Sequence, residues 1–283
     1  MTPLISVGAL AERIPRGSVR LLDVRWRLDA PEGRVSYVSA HLPGAVYVDL
    51  EHELAQRGHP ELGSYPPPTF AQLERSVRRW GIDQGDVVVA YDDNDGVPAA
   101  RAWWLLRRQG FEVRVLDGGL RAWVAEGLPI EQGDVAPPPG NAQIADVDPG
   151  VASIDDAARA PRRGFLVDVR SPEHYRGRVS GRDPVAGHIP GAINLPTVAH
   201  ISSIGTLKSA EEIRATVAAA GIDARSDIVL YCGTGIASAH SALALASAGI
   251  ETRIFTGSWS QWALLSSRPV AVGSQPAAAL RGA

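Results

Sequence analysis

A repeat constrains this chain more than any other feature of its sequence. Laid over the first half, the second half returns four segments in the same order. Leu22-Asp23-Val24-Arg25 recurs as Val167-Asp168-Val169-Arg170, and His41-Leu42-Pro43-Gly44-Ala45 as His188-Ile189-Pro190-Gly191-Ala192. Gly81-Ile82-Asp83 through Tyr91 recurs as Gly221-Ile222-Asp223 through Tyr231, and Asp117-Gly118-Gly119-Leu120-Arg121-Ala122-Trp123 is echoed by Thr256-Gly257-Ser258-Trp259-Ser260-Gln261-Trp262. Ordered recurrence of turn and core signals implies one fold written twice. At 283 residues there is room for two domains of ordinary size. Between the halves, Gly127 to Gly150 is rich in Pro and Gly and shows no helix or strand period, which reads as an extended linker. The expected division is residues 1–135, a linker over 136–147, and 148–283.

Within each half, short apolar runs alternate with helical patterns. Val87–Tyr91 and Ile228–Tyr231 are rich in β-branched residues and apolar on both faces, as buried parallel strands are. Thr69 with Gln72, and Ser209 with Glu212, have the spacing of a capping box, while Gly81 and Gly221 supply helix stops. The expected fold class is therefore α/β: two tandem domains, each a small parallel sheet with helices on both faces.

A formal net charge of −3 argues against a nucleic-acid or anionic-membrane surface. Met1 to Gly8 lacks a basic stretch followed by an apolar run, and no apolar segment approaches the length of a membrane span, so a cytoplasmic location is the default expectation. One cysteine permits no disulfide within the chain and fits a reducing compartment. The His and Cys spacings build no zinc centre, and neither metal nor cofactor is expected.

That cysteine, Cys232, directly follows the strand ending at Tyr231, and Gly233-Thr234-Gly235-Ile236-Ala237-Ser238 leads from it into a helix-like stretch, Ala239 to Ala248. In open α/β sheets ligands bind where strand ends and helix starts converge. Two glycines allow a tight loop whose N–H groups turn toward one point, and with the positive end of the helix they favour a thiolate or the outer sulfur of a persulfide. An unassisted thiol is only a few per cent ionised at neutral pH. A lone cysteine after a buried strand is otherwise a small core hydrophobe. The first half has Asp92 at this position, and a carboxylate accepts no sulfane sulfur, so the first domain is expected to be catalytically silent.

These residues resemble those of tandem rhodaneses, and among them the mercaptopyruvate sulfurtransferases, over nearly the whole chain. Tyr37-Val38-Ser39-Ala40-His41-Leu42-Pro43-Gly44-Ala45 is similar to the family's N-terminal signature, and Gly257-Ser258-Trp259-Ser260-Gln261-Trp262 to its C-terminal one. Cys232-Gly233-Thr234-Gly235-Ile236 is similar to the Cys-Gly-Ser-Gly-Val loop of the mercaptopyruvate branch, whereas the thiosulfate branch carries basic residues there. The resemblance implies transfer of sulfur from a small anionic donor, mercaptopyruvate or thiosulfate, through a Cys232 persulfide to cyanide or a thiol, thioredoxin being one candidate. It implies a catalytic set of Cys232, Thr234, His41 and Asp29. His188 repeats His41, so a shared structural role is the alternative. Two arginines that grip the donor carboxylate in the family map to His174 and Arg182, with Arg176 or Arg178 a further candidate, and Gly233, Gly235, Ile236, Ala237 and Ser238 complete the implied binding loop. His174 and Ala237 depart from the family pattern.

Two rival readings lead elsewhere. A cysteine phosphatase needs a longer loop ending in an arginine, but the sixth position after Cys232 is Ser238. A sulfur-carrying or sulfur-sensing binding protein would need no turnover.

Overall fold

The short β-branched runs become strands of two parallel sheets. The computed structural model describes residues 2–17, 19–145, 150–181 and 183–275. In the first sheet β1 (Leu4–Ile5), β2 (Arg20–Asp23), β3 (Val46–Tyr47), β4 (Val87–Tyr91) and β5 (Glu112–Leu116) lie in the order β1-β5-β4-β2-β3. In the second, β6 (Val151–Ala152), β7 (Phe165–Asp168), β8 (Ile193–Asn194), β9 (Ile228–Tyr231) and β10 (Arg253–Phe255) lie in the equivalent order β6-β10-β9-β7-β8. The sequence repeat is thus a repeat of topology. Registers match too: Asp23 pairs with Tyr91 across β2 and β4, and Asp168 with Tyr231 across β7 and β9. All four residues of β9 are buried. Successive side chains of a strand point to opposite faces, so both faces of this central strand are covered.

The expected capping boxes form. Thr69 Oγ1 accepts the Gln72 N–H at 3.2 Å and opens the helix Phe70–Arg79, and Ser209 Oγ accepts the Glu212 N–H at 3.3 Å to open Ala210–Ala219. A third box, Ser153 with Asp156, opens Ile154–Arg163; its third position holds Asp rather than the Glu or Gln of the usual pattern, which hid it in the sequence.

The described residues form two compact units whose make-up composition did not foreshadow. The first takes those of Met1–Gln56, Pro67–Pro149 and Ser202–Leu207; the second takes those of Arg57–Pro66, Gly150–Ile201 and Lys208–Ala283. Each unit therefore includes a short segment from the other half of the sequence. In the second, the Ser64 N–H donates to Ser260 Oγ at 2.9 Å and the Gln261 side chain donates to Glu61 O at 3.1 Å. In the first, the Leu207 N–H donates to an Asp117 carboxylate oxygen at 2.9 Å. The Pro-rich stretch expected as a linker is extended but fastened to the first unit: the Gly140 N–H donates to Arg78 O at 2.7 Å and the Ala142 N–H to Ile82 O at 3.2 Å. Residues 146–149, which include the end of the expected linker and the start of the expected second domain, lie outside the described residues.

One buried residue gives the second unit an acid-sensitive point. His200 ends the 3-10 turn Thr197–His200, is fully buried, and meets no hydrogen-bond partner at either ring nitrogen among the described residues. Burial first, and the Lys208 charge second, lower its pKa to about 4 from 6.5. Between those values the unfolded chain binds the extra proton, so stability present at neutral pH is lost on acidification, by about 2 kcal/mol at about pH 5. Urea unfolding at about pH 7.5 and about pH 5 should show this loss in the wild type and its absence in His200→Leu.

Candidate active site

Cys232 emerges from β9 with its chain pinned on both sides. It is 2% exposed. The Gly235 N–H donates to its Sγ at 3.0 Å, so the loop does turn a backbone donor onto the sulfur. Gly235 has φ +86°, and a Cβ there would lie 2.3 Å from Thr256 O, so only glycine completes the turn. The Cys232 carbonyl accepts the Trp259 N–H and the Gly233 carbonyl accepts the Ser260 N–H, both at 2.9 Å. The Cys232 N–H donates to Ser258 Oγ at 3.2 Å, and the Ser258 hydroxyl donates to Phe255 O at 2.9 Å while lying 4.0 Å from Sγ. Ser258 adopts φ 53°, a left-handed backbone that is strained for serine and that sets its hydroxyl beside the cysteine. The following helix runs Ala237–Ser247, starting two residues before the stretch read from sequence, so Ser238 lies in its first turn.

The first unit shows what the same loop does without a thiol. Asp92 is buried, and its carboxylate accepts the N–H groups of Asn94 at 2.7 Å, Gly96 at 2.9 Å and Ala99 at 2.8 Å. Burial pushes its pKa up to about 6 against the pull of those three donors. The Asp92 carbonyl accepts the Leu120 N–H at 2.8 Å, as Cys232 accepts Trp259. Gly119, with φ 57°, takes the backbone conformation that Ser258 takes in the second unit. Strain is avoided where no sulfur has to be positioned.

Beneath both loops lies one polar scaffold, built twice. Arg25 grips Asp23 and donates to Ala40 O at 2.8 Å; Arg170 grips Asp168 and donates to Gly187 O at 2.7 Å. Tyr91 OH accepts the Leu42 N–H at 2.9 Å, and Tyr231 OH accepts the Ile189 N–H at 3.1 Å. In the second unit the Arg170 guanidinium also lies 4.7 Å from the Trp259 ring. Burial works against its charge, but Asp168 outweighs burial and its pKa is raised, with smaller contributions of the same sign from Tyr231 and Cys232. The cation beside the thiol therefore comes from the Asp-x-Arg repeat and not from the cysteine loop.

Residues 6–126 and 152–265 each match the family model of the rhodanese-like domain. The chain belongs to the rhodanese family. This rhodanese is 43% identical over 276 residues to a putative thiosulfate sulfurtransferase of Mycobacterium tuberculosis, spanning 96% of the chain and 97% of that relative. It is 37% identical over 286 residues to a probable 3-mercaptopyruvate sulfurtransferase of Pseudomonas aeruginosa, spanning 95% and 98%. The crystal structure of SseA from Escherichia coli, a 3-mercaptopyruvate sulfotransferase, superposes with a TM-score of 0.82 at 29% identity, covering 92% of this chain and 99% of that one.

The residues anticipated around the thiol are distributed unevenly in this rhodanese. In the second unit, Gly235, Ile236 and Ser238 are buried around the Cys232 turn, with Gly233, Thr234 and Ala237 half-buried. His41, in the first unit, is fully buried, stacks on Tyr37 at 4.3 Å, and engages Tyr37 O through Nδ1 at 2.9 Å. His188 does the same with Tyr175, at 3.8 Å and 2.7 Å. His41 Nε2 also lies 3.9 Å from a Glu131 carboxylate oxygen. Asp29 is exposed in the bend after β2 and makes no hydrogen bond to His41. His174 is half-buried, with Nδ1 2.9 Å from Ser171 Oγ. Arg176 lines a cavity of about 370 Å³ with Tyr175, Ile193, Asn194, Ala220 and Ser274, a wall that includes no residue of the Cys232 loop. Arg182 lies outside the described residues. No group of three or more His, Cys, Asp or Glu side chains among the described residues is placed to hold a metal, and none of their helices is long and apolar enough to cross a membrane.

Proposed function

We propose that this rhodanese is a sulfurtransferase that takes sulfur from 3-mercaptopyruvate onto Cys232 and passes it to a thiol or to cyanide. The observation that carries the reading is the Gly235 N–H donated to Sγ at 3.0 Å, in a strand-end loop at the head of an eleven-residue helix. The thiolate attacks the donor sulfur, the carbon–sulfur bond breaks, and the electron pair leaves as the enolate of pyruvate, which takes up a proton. Cys232 is left as Sγ–SH. An acceptor thiolate then attacks the outer sulfur, the S–S bond breaks, its electron pair returns to Sγ, and the acceptor departs as a persulfide.

Mercaptopyruvate is favoured over the dianion thiosulfate because Gly233 to Ser238 contains no basic side chain, and the nearby Arg170 charge is neutralised by Asp168. The acceptor is assigned as a low-molecular-weight or protein thiol of the thioredoxin kind, and the location as the cytoplasm, where an unpaired thiol stays reduced. Incubation with 3-mercaptopyruvate should add about 32 Da, one sulfur atom, to the intact protein. No gain with mercaptopyruvate or thiosulfate would end the persulfide assignment. A kcat/KM for thiosulfate about tenfold above that for mercaptopyruvate would reverse the choice of donor.

A further inference from the structure

We propose that Ser238 is a catalytic residue of this rhodanese, its hydroxyl serving as a side-chain hydrogen-bond donor to the Cys232 sulfur, nearer than that of Ser258, whenever that sulfur is anionic; this rests on the persulfide reading above. Ser238 is fully buried, and among the described residues its hydroxyl has one hydrogen-bond partner, Cys232 Sγ at 3.7 Å. In the neutral thiol the S–H donates to Oγ. Once the thiol ionises it has no proton to give, and the hydroxyl turns to donate to the thiolate, a charge-assisted bond stronger than a neutral one.

A buried hydroxyl is unfavourable without a partner, so its presence at this position needs a reason. The first unit supplies a contrast. The second residue of its equivalent helix, Val97–Arg107, is Pro98, which is buried and carries no hydroxyl, and the loop leading into that helix starts on Asp92 instead of a thiol. Ser241, one turn beyond Ser238, is also a buried serine, but it donates to Thr197 Oγ1 at 3.0 Å, and Thr197 engages His240 Nδ1 at 2.7 Å. Of these two serines in the helix, Ser238 is the one bonded to the reacting atom.

The hydroxyl acts at both ends of the cycle without giving up its proton. It stabilises the thiolate that attacks the donor, and it stabilises the same thiolate again as the leaving group when an acceptor thiolate takes the outer sulfur.

Ser238→Ala and Ser241→Ala in the full chain test this. Each replaces serine with the best helix former and leaves the fold in place. Alkylation of Cys232 by iodoacetamide, followed by intact mass from about pH 6 to about pH 10, needs no sulfur donor and so reads Ser238 even if sulfur loading fails. The expected result for Ser238→Ala is about tenfold slower alkylation near neutral pH, converging with the wild type at the alkaline end, with a similar fall in kcat and little change in KM. Ser241→Ala should follow the wild type throughout. A Ser238→Ala profile that coincides with the wild type overturns the proposal, as does equal slowing in both variants. A wild-type chain that alkylates as expected but gains no sulfur would instead sink the persulfide reading.

Discussion

A Cys232→Ser chain is expected to fold as the wild type does and to lose sulfur transfer, with kcat/KM down by at least about a thousandfold. The fold survives because the substitution is small and its surroundings are polar enough to accept it. Gly235 N–H donates to the sulfur from 3.0 Å, Ser238 Oγ is 3.7 Å away, and the Cys232 backbone is held by Ser258 and Trp259 whatever side chain it carries. Chemistry does not survive, because a serine hydroxyl is not ionised near neutral pH and an oxygen nucleophile forms no persulfide. Steady-state kinetics with mercaptopyruvate and cyanide, beside a thermal melt, check both halves. Wild-type activity in a folded variant would remove Cys232 from the mechanism. An inactive and unfolded variant would place the sulfur in the core instead of the chemistry.

The features legible in the sequence were local or periodic. Strands β4 and β9 announced themselves through β-branched runs, two of the three capping boxes through fixed spacing, and the Cys232 turn through its glycines. What escaped needs the tertiary structure. Asp168 and Arg170 were visible as one half of a repeat, but that their ion pair sits beside the thiol depends on how Trp259 and Tyr231 pack over the guanidinium. Ser258 stood in plain view in a repeated motif, yet the strained backbone that brings its hydroxyl to Cys232 has no sequence signal beyond its alignment with Gly119. His41 is a different case. A histidine in a conspicuous motif invites a chemical role; His41 and His188 share a stacked ring and a bond to a tyrosine carbonyl, while the Glu131 carboxylate 3.9 Å from His41 Nε2 is a contact the motif did not announce. The placement of Arg57–Pro66 in the second unit and of Ser202–Leu207 in the first rests on tertiary contacts, such as Gly63 packed against the Gly257 backbone and the Leu207 N–H donated to Asp117, which composition does not encode.

Removing Arg170 should damage the second unit more than most surface changes damage anything. Asp168 is fully buried, and in an Arg170→Ala chain its carboxylate would keep its burial and lose the guanidinium that contacts it at 2.7 Å. A buried charge stripped of its partner costs about 3–5 kcal/mol, and the Gly187 carbonyl loses its donor as well. Urea unfolding of Arg170→Ala should show this loss, and Asp168→Asn combined with Arg170→Ala should recover part of it, because the neutral amide no longer demands a counter-ion. The duplicated scaffold supplies an internal control. Arg25→Ala strands Asp23 in the first unit in the same way, with Arg25 and Asp23 meeting at 2.6 Å, but no thiol lies on that loop. Both variants should therefore lose stability alike, whereas alkylation of Cys232 should slow only in Arg170→Ala, because Arg170 packs against the Tyr231 and Trp259 rings beside the Cys232 turn and Arg25 lies in the unit whose loop has no thiol. Equal alkylation rates in the two variants would reduce Arg170 to scaffolding and leave the cysteine loop and its hydroxyls as the sole source of thiolate stabilisation.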